Sequence, residues 1–382
     1  MSKTQPGPPA ERAKGGASGQ EAPRNGSPEG TDAGTTFEFG IFDSFDQGDS
    51  TPGRVIASRL DFAVEAERAG IAHYHVTEHH GTPLSVCPSP NLFLAALSQR
   101  TAVMRIGALV HVLPAYDPLR LAEEIAVLDQ LTGGRLDVGV GSGVSPYELG
   151  YFGIEAGQAR ARYAETLQAV TAALTTGRMR HAGTLLRDYD VELSVGPVQR
   201  PHPPLWYASS NTATAAWAGA NGVNFVGRWN DGGFVPAARA YWDARRQAGK
   251  AGPAPRIGTA AHVYIGRTDA DAVERFRKAN DVFARQLLKL WHDNGNHNAD
   301  HLYDTDRTMA NGNSLVGSAA TVAARLTDQV SRAPVNYFEA TLAFGDLTPD
   351  EAAANLAAFA GTVMPAVRAA FGARTAGDGS AG

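Results

Sequence analysis

This 382-residue sequence has a single cysteine and no excess of basic residues. Cys87 is the one cysteine, so an intramolecular disulfide and a four-cysteine zinc site are excluded. The formal net charge of −5 lacks the basic footprint of a dedicated nucleic-acid binder. No uninterrupted apolar run approaches the roughly 20 residues that span a bilayer, so no membrane association is expected.

Large apolar side chains are absent from one end of the chain. Residues 1–36 contain no Val, Ile, Leu, Phe, Tyr or Trp, and 12 of the 36 are Gly or Pro. Such a segment cannot bury enough apolar surface to offset its ordering entropy, and it lacks the apolar region of a secretory signal. We therefore predict a disordered leader over 1–36, a similar tail over 372–382, one domain over 37–371 and a cytoplasmic location.

Strand and helix patterns alternate between these ends. Helices are predicted over 52–69, 91–100 and 118–131, each next to Pro, Gly or capping residues. Strands are predicted over eight short apolar segments: 37–45, 73–78, 105–112, 136–141, 204–208, 223–227, 257–265 and 335–344. Short apolar strands separated by helices indicate parallel βα units buried on both faces. The prediction is an α/β protein with a closed (β/α)8 TIM barrel; an open doubly wound sheet is the alternative.

Two segments, 143–200 and 266–313, are too long for simple barrel loops. We expect them to be insertions above the C-terminal face of the barrel, where barrel active sites lie. The second of them contains three histidines within 292–302, a pattern compatible with a metal tract. Its Asn and Gly content favours a mobile loop, so no metal site is predicted there.

An acid and two imidazoles, Glu78, His79 and His80, follow the second predicted strand. In a barrel this end of the strand faces the catalytic mouth, so the three side chains could form an acid/base or a metal site. A hydrogen-bonded histidine pair that packs a loop is the structural alternative. His111, inside an apolar strand, has the same two interpretations, and a hydrogen-bonded core histidine is favoured.

Two further segments could bind an anion. Arg120 is the third residue of a helix opened by Asp117-Pro118, a place where a cation gains little unless it has an anionic partner. The run Ser209-Ser210-Asn211-Thr212 follows a strand and precedes an alanine-rich helix, which makes a ready phosphate cradle. The alternatives are a solvated charge cluster around Arg120 and a simple helix cap after the strand.

A glycine-rich segment ends the fourth predicted strand. Its sequence, GVGSG from Gly139 to Gly143, superficially resembles a dinucleotide-binding fingerprint, but the third glycine is misplaced. We interpret these glycines, Gly141 among them, as positions where the backbone approaches a ligand or turns tightly.

Several longer stretches resemble the bacterial-luciferase-like flavin-dependent monooxygenases. They are AERAGIAHYHVTEHH, SPNLFLAALSQRTAVMRIGALVHVLPAYDPLRLAEEIAVLDQLTGGRLDVGVGSG, YFGI and PVQRPHPPLWYASSNTATAAWAGANG. The likeness is close over residues 37–230 and looser over 255–365. It implies a (β/α)8 barrel with a reduced flavin at its C-terminal mouth.

The same resemblance assigns roles to individual residues. It implies that His79 is an acid/base group and that Glu78 and His80 line or support the pocket. It implies that the flavin phosphate contacts the arginine after the Asp-Pro turn and the hydroxyl groups after strand five, and that a non-prolyl cis peptide lies under the flavin ring. The matching residues are Arg120, Ser210, Thr212 or Thr214, and the Leu109–Val110 bond. Two further candidate cofactor-binding residues are Ser209, which stands where some relatives have an acidic residue, and Gly141 of the glycine-rich segment.

The function that follows is oxidation of a small organic substrate by molecular oxygen and reduced FMN. No NAD-binding fingerprint is present, so a separate flavin reductase is the expected partner. Alternatives are a deazaflavin-dependent oxidoreductase on the same barrel, a non-catalytic flavin-binding subunit, and a metallohydrolase using Glu78, His79, His80 and His111. Apolar positions in helices 91–100 and 118–131 predict a homodimer.

Overall fold

The computed structural model describes residues 36–250 and 252–378. Eleven strands lie in this part of the chain: β1 (Glu38–Asp43), β2 (His73–Val76), β3 (Arg105–Val112), β4 (Leu136–Gly141), β5 (Arg178–His181), β6 (Tyr189–Glu192), β7 (Leu205–Ala208), β8 (Asn224–Gly227), β9 (Ile257–Ile265), β10 (Ser314–Gly317) and β11 (Tyr337–Thr341). The predicted disordered leader lies outside the described residues except for Thr36.

Twelve α-helices accompany these strands in the described chain. They are α1 (Pro52–Arg68), α2 (Pro90–Ser98), α3 (Pro118–Thr132), α4 (Pro146–Tyr151), α5 (Ala156–Thr176), α6 (Thr212–Asn221), α7 (Val235–Gln247), α8 (Asp269–Asp293), α9 (Thr305–Ala310), α10 (Ala319–Arg332), α11 (Pro349–Ala358) and α12 (Met364–Asp378). A π-helical segment, Phe359–Val363, joins α11 to α12. The helix continues to Asp378, so residues 372–378 are helical rather than part of a disordered tail.

Eight parallel strands close into a barrel in the order β1, β2, β3, β4, β7, β8, β9, β11, and β11 pairs with β1. This confirms the predicted (β/α)8 barrel and excludes the open sheet. β9 is long enough to pair with β8 at its start and with the extra strand β10 at its end. All eight predicted strands are present, although β2 ends at Val76, two residues before the predicted end.

Local sequence accounts for the helix boundaries. The Asp117 side chain accepts hydrogen bonds from the backbone N–H groups of Leu119 and Arg120, and Gly133 ends α3 with a left-handed φ of 61°. This position favours glycine because other residues pay a steric penalty there. Proline at the first turn opens α1, α2 and α3 in the same manner.

The two predicted insertions have distinct structures. Residues 143–200 contain the short helix α4, the long helix α5 and the antiparallel hairpin β5–β6. Residues 266–313 contain α8 and α9, and α8 packs its apolar face on β9 and β10. α4 and α8 both reach the C-terminal end of the barrel, where their side chains line a cavity.

One helical run, Pro349–Arg374, is long and apolar enough to cross a membrane by length and composition alone. Its large apolar side chains, among them Leu356, Phe359, Val363 and Phe371, are buried in the main core. A barrel helix with one buried face passes the same test, so the finding is a weak indication of membrane contact.

The barrel interior holds a buried charged network below the C-terminal cavity. His75 Nδ1 lies 2.5 Å from Glu339 Oε1, and His75 Nε2 lies 3.4 Å from Asp137 Oδ2. His73 and Arg105 also contact Asp137, at 2.7 and 2.8 Å. Burial disfavours the charged imidazole of His75, but the neighbouring carboxylates outweigh burial and raise its pKa to about 9. Burial acts to raise the pKa of Asp137, but its contacts with His73, His75 and Arg105 hold that pKa far below its usual range.

This network predicts a pH dependence of stability in the alkaline range. An unfolded histidine titrates near pH 6.5, whereas folded His75 has a pKa of about 9. The stabilisation by the charged imidazole is therefore complete below about pH 6.5 and is lost as the pH rises to about 9. The free energy of unfolding, measured by urea titration, should therefore be roughly 3 kcal/mol lower at about pH 9 than at about pH 6.5.

A His75→Gln variant serves as the control for that measurement. It lacks the titrating group, so its free energy of unfolding should change less over the same pH range. Equal pH slopes for the two proteins would contradict the assignment of the effect to His75.

Candidate functional site

A cavity of about 640 Å³ opens at the carboxyl ends of the barrel strands. This volume is within the range of small-molecule and cofactor pockets. Seven of the sequence-predicted site residues line it: Glu78, His79, His80, Leu109, Val110, Gly141 and Ser209. The fold therefore brings the candidate acid/base residues and most of the candidate cofactor-binding residues into one space.

Glu78 is a buried carboxylate that ties the loop after β2 to the end of β3. Its Oε2 accepts hydrogen bonds from the Val112 backbone N–H at 3.1 Å and from the Tyr116 hydroxyl at 2.8 Å. Its Oε1 lies 2.9 Å from His80 Nε2. All three contacts are made by the surrounding protein. We therefore interpret Glu78 as a residue that positions the loop and His80 at the cavity.

His79 is oriented by a carboxylate that the sequence did not reveal. Its Nδ1 lies 3.1 Å from Glu148 Oε1, and Glu148 Oε2 accepts the backbone N–H of His80 at 2.8 Å. Since a carboxylate is an acceptor, Nδ1 carries the proton and Nε2 is the nitrogen left for a ligand. Glu148 lies in α4 within Ser145-Pro146-Tyr147-Glu148, a pattern that reads as an ordinary helix N-terminus.

The Leu109–Val110 peptide bond is cis, as predicted from the resemblance. The pairing of β3 with β4 shifts register between Ala108 and His111, around this bond. Glycines on β4 allow the two strands to approach: a Cβ atom on Gly141 would lie 2.5 Å from Val110 Cγ2. Leu109, Val110 and Gly141 thus form a smooth apolar floor for the cavity.

The polar side chains between β7 and the first turn of α6 are hydrogen-bonded within the protein. Ser209 Oγ accepts the Asn211 N–H at 3.1 Å, and the Thr214 hydroxyl donates to Asn211 Oδ1 at 3.3 Å. Asn211 caps α6 by accepting the Thr214 N–H at 3.0 Å, and Ser210 Oγ accepts the Arg228 N–H at 2.9 Å. Ser209 and Thr214 line the cavity. Ser210 and Thr212 are not among the described lining residues, so Ser209 and Thr214 are the hydroxyl side chains that this part of the described chain presents at the cavity.

Arg120 is not brought to the cavity. Its side chain is 74% exposed, and its Nε pairs with Glu124 Oε1 at 2.6 Å, which matches the solvated charge-cluster alternative. Two other arginines, Arg160 on α5 and Arg228 after β8, line the cavity instead. Neither stands in a motif that drew attention in the sequence, although Arg228 directly follows a predicted strand.

His262, on β9, is a further cavity residue that sequence reasoning missed. Its ring packs edge-on against Phe283 and Phe344, with ring centroids 4.5 and 4.8 Å away. Burial, together with the nearby cation of Arg228, lowers its pKa to about 3, so the imidazole is neutral at physiological pH. Like His111, it interrupts an otherwise apolar strand, which is the one signal that could have found it.

The residues proposed for a metallohydrolase do not form a joint metal site. Both ring nitrogens of His111 are engaged, by Gly139 O and by Asn91 Oδ1, which identifies it as a hydrogen-bonded core residue. Within residues 36–250 and 252–378, the groups with metal-ligand spacing lie elsewhere. They are the buried set His73, His75, Asp137 and the surface set His292, His297, Asp300.

Comparison with known sequences gives a consistent result. A model of the family described as luciferase-like monooxygenase matches residues 37–336. An uncharacterised protein of Sinorhizobium fredii, y4wF, is 35% identical over 82% of this chain and 92% of its own. The oxygenase component of the flavin-dependent trigonelline monooxygenase of Acinetobacter baylyi is 31% identical over 54% of this chain and 58% of its own.

Experimental structures show the same architecture. Monooxygenase RslO1 from Streptomyces bottropensis superposes with a TM-score of 0.78 and 26% identity, over 86% of this chain and 99% of its own. The oxygenating constituent of 3,6-diketocamphane monooxygenase from Pseudomonas putida, determined with FMN, has a TM-score of 0.73 at 20% identity over 86% and 98% of the two chains. A coenzyme F420-dependent reductase from Methanopyrus kandleri has a TM-score of 0.64 at 15% identity over 87% and 99%.

Proposed function

Because the chain belongs to the luciferase-like monooxygenase family, we propose that it is the oxygenase component of a two-component flavin monooxygenase. It would take reduced FMN from a separate reductase and use molecular oxygen to oxidise a small organic substrate. The observation that carries this proposal is the convergence of His79, Leu109, Val110 and Ser209 on one cavity.

The cavity residues fit a flavin by their chemistry. Leu109, Val110 and Gly141 offer an apolar surface for a planar ring, and a side chain at Gly141 would collide with Val110. The hydroxyls of Ser209 and Thr214, at the entrance to α6, are suited to a phosphate. We propose Arg160 as the cationic partner of that phosphate, because Arg160 lines the same cavity while Arg120 pairs with Glu124 at the surface.

The protein's own residues would bind the cofactor and the substrate, exclude water and exchange protons. Bound reduced flavin supplies the electrons that activate oxygen. His79, held by Glu148 through Nδ1, would give or take a proton at Nε2. Phe283 and Leu287 of α8 form an apolar wall that would exclude water from the reacting groups.

A deazaflavin cofactor is the second candidate. Two F420-dependent enzymes share the fold, with TM-scores of 0.64 and 0.66 at 15% and 18% identity. The Glu78-His79-His80 loop favours FMN over a deazaflavin as the cofactor, since it places a proton-exchanging group at the cavity. A non-catalytic flavin-binding subunit is less well supported, because His79 and its orienting carboxylate are both present.

Cofactor titration distinguishes these candidates. The purified protein is titrated separately with FMN, reduced FMN and F420, and binding is followed by calorimetry. Our proposal expects reduced FMN to bind at least about tenfold more tightly than F420, a difference of about 1.4 kcal/mol. Preferential binding of F420 would support the second candidate instead.

Glu148 provides a test of the acid/base assignment. Glu148→Gln removes the charged acceptor that orients His79, so kcat should fall about tenfold or more, with a smaller change in KM. Glu155→Gln, just before α5, is the matched control and should leave both constants unchanged. A Glu148→Gln enzyme with wild-type kcat would show that His79 needs no orienting carboxylate.

A homodimer and a cytoplasmic location complete the proposal. Leu92 on α2 and Val127 and Leu131 on α3 are exposed apolar residues, 74%, 46% and 43% accessible. They lie on the two helices that the sequence predicts as the interface. Light scattering of the purified protein measures the oligomeric state directly.

A further inference from the structure

Arg228 faces the cavity without an acidic partner. Its guanidinium lies over the ring of Tyr303, 5.7 Å from the centroid. In the described parts of the chain no carboxylate pairs with it, and burial lowers its pKa. A partly buried guanidinium without a counter-ion is costly to desolvate, and it is suited to binding a carboxylate through two parallel hydrogen bonds.

His262 adds a second unsatisfied polar group to the same side of the cavity. Its Nε2 is buried and makes no hydrogen bond to the described residues. The neutral imidazole can donate or accept one hydrogen bond, and a buried polar atom without a partner is unfavourable. A ligand with a polar atom near Arg228 would satisfy both groups.

The wall around these two residues is apolar and aromatic. Phe283 and Leu287 come from α8, and Tyr303 follows it in the second insertion. These side chains lie near His262, since the Phe283 and His262 rings are in contact. The local environment therefore combines one cation and one neutral donor or acceptor with a hydrocarbon surface.

We propose that Arg228 and His262 form a subsite for the carboxylate of an organic-acid substrate whose apolar body lies against Phe283 and Tyr303. The inference rests on the proposed function, because it names the substrate class of the same cavity. It narrows the substrate from any small organic molecule to one that carries an anionic group.

The backbone of Arg228 is hydrogen-bonded to Ser210, next to the proposed phosphate site, whereas its guanidinium contacts Tyr303. Arg228 follows β8, which lies between β7 and β9 in the barrel. Its guanidinium lies against Tyr303, and the Tyr303 ring neighbours Phe283, which contacts His262 of β9. The phosphate cradle, Ser209 and Thr214, belongs to the β7–α6 side. A flavin phosphate at Arg228 is therefore the competing outcome of the test.

The test compares carboxylates with neutral amides of the same shape. Benzoate and benzamide, nicotinate and nicotinamide, and hexanoate and hexanamide are titrated by calorimetry into the purified protein, without flavin and again with excess FMN. At least one acid should bind about tenfold or more tightly than its amide, because hydrogen bonds to charged groups are strong. Arg228→Gln should reduce that preference to about twofold or less.

Two further variants sharpen the result. Arg239→Gln removes an exposed arginine of α7 and should keep the wild-type preference. Arg228→Lys keeps the charge without the bidentate geometry and should retain part of it. FMN affinity of Arg228→Gln should stay within about threefold of wild type.

Three results would overturn the subsite: equal binding of acid and amide in all three pairs, a preference that survives Arg228→Gln, or a loss of FMN affinity of about tenfold or more in that variant. The last result would assign Arg228 to the cofactor phosphate. Failure of the proposed function would give a different result. A protein that binds neither FMN nor F420 could still bind the acids more tightly than their amides.

Discussion

Replacing His79 by alanine is expected to lower the rate of product formation by about 10²–10⁴-fold, the usual contribution of a positioned acid/base group. The imidazole is the proton-exchanging side chain whose Nε2 is left available at the cavity, because Nδ1 is engaged by Glu148 at 3.1 Å. Flavin affinity should change less than about threefold, since Leu109, Val110 and Ser209 are untouched. Steady-state kinetics and calorimetric titration with FMN measure the two quantities.

His202→Ala is the matched control for this variant. His202 lies before β7 and contacts Pro203 O through Nδ1, away from the cavity lining. Its loss should leave both turnover and flavin binding unchanged. Full turnover by His79→Ala would remove the acid/base role, and a parallel loss of flavin binding would indicate that His79 shapes the cofactor site instead.

Replacing Glu339 by leucine is expected to destabilise the protein by about 3–5 kcal/mol, the cost of removing one partner of a buried ion pair. Glu339 and His75 are both fully buried, and their atoms Oε1 and Nδ1 are 2.5 Å apart. Without the carboxylate, the imidazole must either stay charged without its main partner or lose its proton. Urea unfolding at pH 6.5 measures the difference in free energy.

An exposed ion pair provides the control for the Glu339 variant. Asp243 and Arg246 pair on α7, with side chains 56% and 55% accessible. Asp243→Asn should cost less than about 1 kcal/mol because water screens exposed charges. If Glu339→Leu cost no more than Asp243→Asn, the barrel network would not be a main determinant of stability.

The barrel was predictable because its signals are local. Strand segments such as Arg105–Val112 are apolar and bounded by helix caps, and Asp117-Pro118 and Gly133 fix the ends of α3 through their own backbone preferences. The cis Leu109–Val110 bond is different, since no local preference indicates it. It followed from the family resemblance and not from residue chemistry.

The site was only partly predictable because its partners are distant in sequence. Glu148 acts on His79 from 69 residues away, and its Ser145-x-x-Glu148 context reads as a helix N-terminus. Arg228 and His262 line the same cavity because β8 and β9 are neighbours in the closed barrel. Arg120 is the opposite case. Its position after Asp117-Pro118 predicts a cofactor-binding role, but its side chain pairs with Glu124 at the surface.

Isotope incorporation tests the central claim most directly. The protein is mixed with reduced FMN and a library of small organic acids and their neutral analogues under heavy-isotope molecular oxygen, and the products are analysed by mass spectrometry. The account predicts a product that carries one labelled oxygen atom, formed by the wild type and about 10²–10⁴-fold more slowly by His79→Ala. Substrate oxidised without label, or turnover supported by F420 and not by FMN, would contradict it.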